Sequence, residues 1–152
     1  MKKTVLFLLM LFLSGSVAFA QRGLHCYPVF RGKVVPVRQM VVTEVRGEGM
    51  NTYKLDYYRG VKFHVDTTLA LQVAEMVESD AVAATSVEIE RVGGFLTYAL
   101  IQPKPSGNTN RYLCYHARPV RFGWDVTLLY LEGSATLEDL RSMFDKQSND
   151  KK

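Results

Sequence analysis

Between Phe122 and Phe144 the hydrophobic pattern changes period, and the rest of the fold is read outward from there. Phe122, Trp124, Val126, Leu128 and Tyr130 recur on one face at a period of two, while Leu129 and Leu131 make the other face apolar too. That is the pattern of a strand covered on both sides and set centrally in a sheet. Glu132-Gly133-Ser134 breaks it. Thr136, with Asp139 three residues on, then starts a helix in the manner of a capping box, and its Leu137, Leu140, Met143 and Phe144 form one stripe that must fold back onto the sheet.

Upstream, Met40 to Arg46 is rich in β-branched residues and predicts the first strand. The run Gly47-Glu-Gly-Met-Asn51 predicts a hairpin loop into an extended segment from Thr52 to Val65. There Tyr53, Leu55, Tyr57, Val61, Phe63 and Val65 share a face and Gly60 marks a bulge or bend. Asp66 or Thr67 caps a helix over about 67–83 whose Leu69, Val73, Met76, Val77 and Ala81 face inward. Val87 to Glu90, a Gly93-Gly94 turn and Phe95 to Ile101 predict a hairpin, and Arg111 to Ala117 a further strand. The expected fold is α+β, an antiparallel sheet of about five to six strands in the order β-β-α-β-β-β-β-α, with both helices packed on one face.

The first twenty residues change the picture of the compartment. Lys2 and Lys3 precede an apolar run from Val5 to Leu13, and Ala18-Phe-Ala20 supplies a small-x-small cleavage site, so residues 1–20 read as a secretory signal too short to serve as a membrane span. Taking 20 of the 152 residues away leaves 132, enough for one domain. We divide it into an N-terminal arm at 21–37, punctuated by glycine and proline, a domain at 38–147 and a polar tail at 148–152. The whole-chain charge of +4 falls to about +2, because two basic residues and no acidic ones leave with the leader. With so little net charge, nucleic acid is not an expected partner.

Two cysteines remain, Cys26 and Cys114, 88 positions apart in a compartment that favours disulfides. If bonded, they close a loop worth about 4.5 kcal/mol on the chain-entropy model. The alternative is a buried, free Cys114. The sequence carries no His-Glu-x-x-His, Cys-x-x-Cys, Gly-x-Ser-x-Gly or Walker pattern, and no metal or cofactor is expected. Cys114 and His116, two apart on a strand, share a face and with His64 are the residues a small hydrolase or metal-dependent enzyme would use. Aromatic residues interleave with arginines at Tyr57-Tyr58-Arg59 and along Arg111 to Arg118. Tyr58, Arg59, Arg111, His116 and Arg118 are therefore the candidate binding residues, set against a reading in which the tyrosines fill the core and the arginines guard strand edges.

Several stretches have a combined signature: Gly23-Leu-His25 after the leader, Met40-Val-Val-Thr-Glu-Val-Arg46, Tyr57-Tyr-Arg59 within the Tyr53 to Phe63 segment, and Tyr130-Leu-Glu-Gly133 followed by Thr136-Leu-Glu-Asp-Leu140. In these the chain resembles a family of small exported proteins of Gram-negative anaerobes catalogued as a domain of unknown function. The resemblance implies export and a single-domain architecture, and brings no catalytic residue. The function expected is that of an exported non-enzymatic module, in the periplasm or, as the alternative, outside the cell, that binds a protein or cell-envelope component, with a small hydrolase or metal-dependent enzyme using Cys114, His116 and His64 as the alternative function.

Overall fold

Six strands form one antiparallel sheet in the computed structural model, which describes residues 23–150. The proposed leader therefore lies outside the described residues. In chain order the elements are a helical turn α1 (Tyr27–Phe30), β1 (Met40–Arg46), β2 (Leu55–Val65), α2 (Thr67–Ala81), β3 (Ser86–Val92), β4 (Phe95–Gln102), β5 (Asn110–Val120), β6 (Gly123–Gly133) and α3 (Leu137–Asn149). Short 3-10 turns at Val37–Gln39 and Gly47–Tyr53 flank β1. The sheet order is β1-β2-β6-β5-β4-β3. After the β1–β2 hairpin, α2 carries the chain over one face to the far edge. The meander β3 to β6 then returns strand by strand until β6 pairs with β2. The predicted α+β class and element order hold, and β6 is the central, two-sided strand that its pattern requires. Among the described residues no helix is long and apolar enough to cross a membrane.

The two long helices lie on opposite faces, which corrects the expectation that both pack on one. Ala70, Val73, Ala74 and Val77 of α2 join Val61, Phe63, Leu113, Tyr115, Val126, Leu128 and Tyr130 in the larger core. Leu140 of α3, with Leu137, Met143 and Phe144 beside it, packs on Leu55, Leu100, Tyr112, Cys114 and Leu131. Side chains alternate along a strand, so Tyr112 and Cys114 face opposite to Leu113 and Tyr115, and the sheet separates the two clusters. The capping box of α3 forms as read, Thr136 Oγ1 accepting from the Asp139 amide at 3.2 Å and Asp139 from the Thr136 amide at 2.9 Å. Tyr112 Oη and Asn110 Nδ2 both donate to the Ala135 carbonyl, at 2.6 and 3.1 Å, and so steer α3 back over their own face.

The irregularity in β2 sits at Asp56, not at Gly60. Leu55 pairs with Gly133 and Tyr57 with Glu132, so Asp56 is an extra residue that reverses the alternation. Leu55 therefore packs under α3 while Tyr57 faces α2, and Tyr53 stands outside the strand, half exposed. A Cβ on Gly133 would lie 2.5 Å from the Lys54 carbonyl oxygen, so glycine is what lets the bulge approach β6. Gly60 is regular in register, and its bare position leaves room for the Tyr58 ring and Leu129. Phe122 belongs to the β5–β6 turn and is 78 % exposed, instead of continuing the face of Trp124.

Residues of the N-terminal stretch are part of the larger core. Leu24, Cys26, Val29, Phe30 and Val35 complete the core beneath α2. The anchor of the arm is Asp80 of α2, a buried carboxylate that accepts from the His25 amide at 2.6 Å, the Cys26 amide at 2.9 Å and the His25 ring at 3.1 Å. Three donors compensate the burial of that charge. The candidate disulfide does not form: Cys26 lies in the α2-side core and Cys114 in the α3-side core, with the sheet between them, and both are free.

Candidate functional site

On its own face α3 covers only one half of the sheet. Over the other half a register row runs through Val41 of β1, Lys62 of β2, Thr127 of β6, His116 of β5, Tyr98 of β4 and Glu90 of β3. All six are exposed or partly so. The next row outward holds His64, Asp125 and Arg118. Strand alternation alone puts these groups on one surface, with the basic side chains Lys62, His64, His116 and Arg118 set against Asp125 and the edge residue Glu90.

His64 is the best-defined of them. Its Nδ1 lies 3.0 Å from Asp125 Oδ1 and its Nε2 2.7 Å from the Phe122 carbonyl oxygen, while Arg118 donates to Asp125 Oδ2 at 3.1 Å. Both neighbours of the ring are acceptors, so the doubly protonated imidazolium satisfies both contacts. The Asp125 hydrogen bond and the Phe122 carbonyl raise the His64 pKa above its ordinary value, and the His64 and Arg118 hydrogen bonds lower that of Asp125. His64 also borders a cleft of about 470 Å³ with Gln39, Asp66, Thr67, Leu69 and the exposed Phe122.

A titration prediction follows from this geometry. The raised histidine contributes stability that is complete below its unfolded pKa of about 6.5 and is lost as pH rises through the folded value. The depressed aspartate contributes above its unfolded pKa of about 3.9 and loses that contribution as pH falls through its folded value. The clasp is thus fully formed between those two unfolded values. NMR titration should give His64 a pKa above about 6.5, and Asp125→Asn should bring it down. An unshifted His64 would show that the clasp is absent in solution.

Of the five residues singled out from the sequence, His116 and Arg118 lie on this open half-sheet, while Tyr58 is on the same side of the sheet but half-buried against the α3-side core. Arg59 and Arg111 lie on the opposite face. Arg59 donates to Glu44 at 2.8 Å and to the Phe30 carbonyl at 3.0 Å, which ties the arm to β2. Arg111 donates to Tyr130 Oη at 3.0 Å, and Tyr130 Oη to Glu132 at 2.7 Å. Arg46 lies 4.6 Å from the Tyr57 ring centroid. This second cluster is knitted into the end of the α2-side core, whereas the first faces solvent. Lys62, Tyr98 and Asp125 carried no role in the sequence reading, and His64 entered it only as a residue of the hydrolase alternative. Their signal was the alternation itself, which becomes informative only once strand order is known.

Cys114, His116 and His64 do not converge. Cys114 is buried at the edge of the α3-side core, where desolvation pushes its thiol up to about 12, far from a reactive thiolate. His64 is held by Asp125 and Phe122, two strands away from His116, a separation of about 10 Å at normal strand spacing. Among the described residues no three His, Cys, Asp or Glu side chains stand close enough together to hold a metal ion.

A family model described as a family of unknown function (DUF6108) matches residues 13–144. The chain belongs to this family. The match spans every strand described above and α3 as far as Phe144, so the family is defined over the whole two-faced sheet. No curated protein matches the chain, and no solved structure does.

Proposed function

We propose that this member of the family is an exported binding module that engages an acidic protein or cell-envelope component through the half-sheet which α3 leaves open. The observation that carries the reading is the solvent-facing set Lys62, His64, His116 and Arg118, set among Thr127 and Tyr98 on adjacent rigid strands. Strand-borne cations hold their spacing, and a neighbouring aromatic ring adds area at small entropic cost. Export is supported by the leader pattern of residues 1–20, and a binding role by the basic side chains that this surface presents to solvent. Because Asp125 already engages His64 and Arg118, the least committed basic side chains are Lys62 and His116.

The test measures retention of the purified protein on fractionated cell envelope. Lys62→Glu/His116→Glu should lower retention about tenfold or more while leaving the melting temperature close to wild type, since surface substitutions of this kind change stability little. Arg111→Ala, on the other face, should leave retention intact. Equal retention by wild type and the double variant would remove the open half-sheet as the binding surface.

A further inference from the structure

We propose that two copies of the protein pair edge to edge through β1, antiparallel about a two-fold axis perpendicular to the sheet at Thr43, joining their sheets into one. The inference stands independently of the binding role above.

The two edges of this sheet are managed differently. Natural edge strands discourage pairing with charges, prolines, bulges or covering elements. At β3, Glu88 and Glu90 flank Ile89, and the register with β4 shifts between Glu90 and Arg91, so that edge carries both charge and a bulge. Self-pairing there about Ile89 would set Glu88 against the partner's Glu90 twice over. At β1 the bulge and the proline are missing, and two charges, Glu44 and Arg46, remain. Its seven residues contain no lysine or proline, and they pair with β2 in unbroken register from Met40 with Phe63 to Arg46 with Tyr57. Val41, Val42, Thr43 and Val45 are β-branched, Val41 is 67 % exposed and Val42 38 %. The strand's two charges are paired within the chain, Arg46 and Arg59 both donating to Glu44, as Glu88 of β3 is paired with Arg141, so the two edges differ in the bulge and in the placement of like charges.

The sequence of β1 is also self-complementary in one register. A perpendicular two-fold keeps like faces together, so each residue must oppose one of its own parity. Centred on Thr43, the whole strand overlaps: Thr43 meets Thr43, Val41 meets the partner's Val45, Val42 the partner's Glu44, and Met40 the partner's Arg46. Thr–Thr and β-branched pairs are favourable across strands. Arg38 and Glu48 flank the strand at its two ends, both exposed, so antiparallel pairing brings each Arg38 to the end where the partner's Glu48 stands. Shifting the centre to Glu44 would oppose two glutamates, and shifting it to Val42 would bring Arg38 against the partner's Arg46. The occupant this edge fits is therefore a second copy of the chain.

Sedimentation analysis of the purified protein should show a concentration-dependent dimer. Thr43→Lys places two ammonium groups opposite each other at the axis and should raise the dissociation constant about tenfold or more, with circular dichroism unchanged. As a second readout, Thr43→Cys treated with a mild oxidant should cross-link into a disulfide-bonded dimer, while Ile89→Cys on the other edge should not. The buried Cys26 and Cys114 stay out of the reaction. A protein monomeric up to millimolar concentration, a dimer untouched by Thr43→Lys, or cross-linking through Ile89→Cys instead would overturn the proposal.

Discussion

Leu128→Asp is expected to yield a chain that does not fold. Leu128 has no exposed surface, sits on the central strand and packs in the α2-side core with Val61, Tyr115 and Val126. It is flanked by β2 and β5, with Val61 and Tyr115 directly opposite. An unpaired buried carboxylate costs several kcal/mol, against a total stability of about 5 to 15 kcal/mol for a domain of this kind. The graded control is Leu128→Ala, which should still fold cooperatively but lose about 2 to 5 kcal/mol through lost burial and the cavity left behind. Denaturant unfolding of both variants checks the pair. A Leu128→Asp protein that melts cooperatively near the wild-type temperature would mean that this strand is not the centre of the core.

The second large effect falls on Asp80, whose loss should release the arm before the sheet. Asp80→Ala strands the His25 and Cys26 amides without their acceptor, at a cost of about 2 to 4 kcal/mol for two donors to a charged group. The arm also supplies Leu24, Val29, Phe30 and Val35 to the core beneath α2, so the loss should spread inward as partial exposure of that face. Limited proteolysis should cut at Arg31 or Lys33 well before any site in β4 to β6. Asp80→Asn keeps one acceptor oxygen and should recover part of the protection. An arm equally resistant in wild type and Asp80→Ala would show that apolar packing alone holds it.

Local pattern carried much of the architecture. The strands β1, β2 and β4 to β6, the inward stripe of α2 and the capping box of α3 depend on neighbours within a few residues, and they formed close to where the pattern placed them, except that Tyr53 and Leu55 left the face counted for β2 and Phe122 that of β6. The apolar character of both faces of Gly123–Gly133 already required a cover on each side. Which element supplied each cover was not local: α3 took the Leu131 face because Asn110 and Tyr112 of β5 hold the Ala135 carbonyl there. One extra residue, Asp56, reversed the parity of β2 and moved Leu55 to the other core, a shift that alternation counted along the strand misses.

The same division governs the functional residues. The sequence by itself determined that Cys114 and His116 share a face, because side-chain direction follows directly from a strand's parity. The tertiary structure decided what each face meets. It put Cys26 and Cys114 on opposite sides of the sheet, so no disulfide forms. Arg59 became a tie for the arm, and His64 was set between Asp125 and the Phe122 carbonyl. Parity is a property of one strand, but strand order and register are properties of the whole sheet. Contacts between residues sixty or more positions apart are fixed only when the sheet closes around β6.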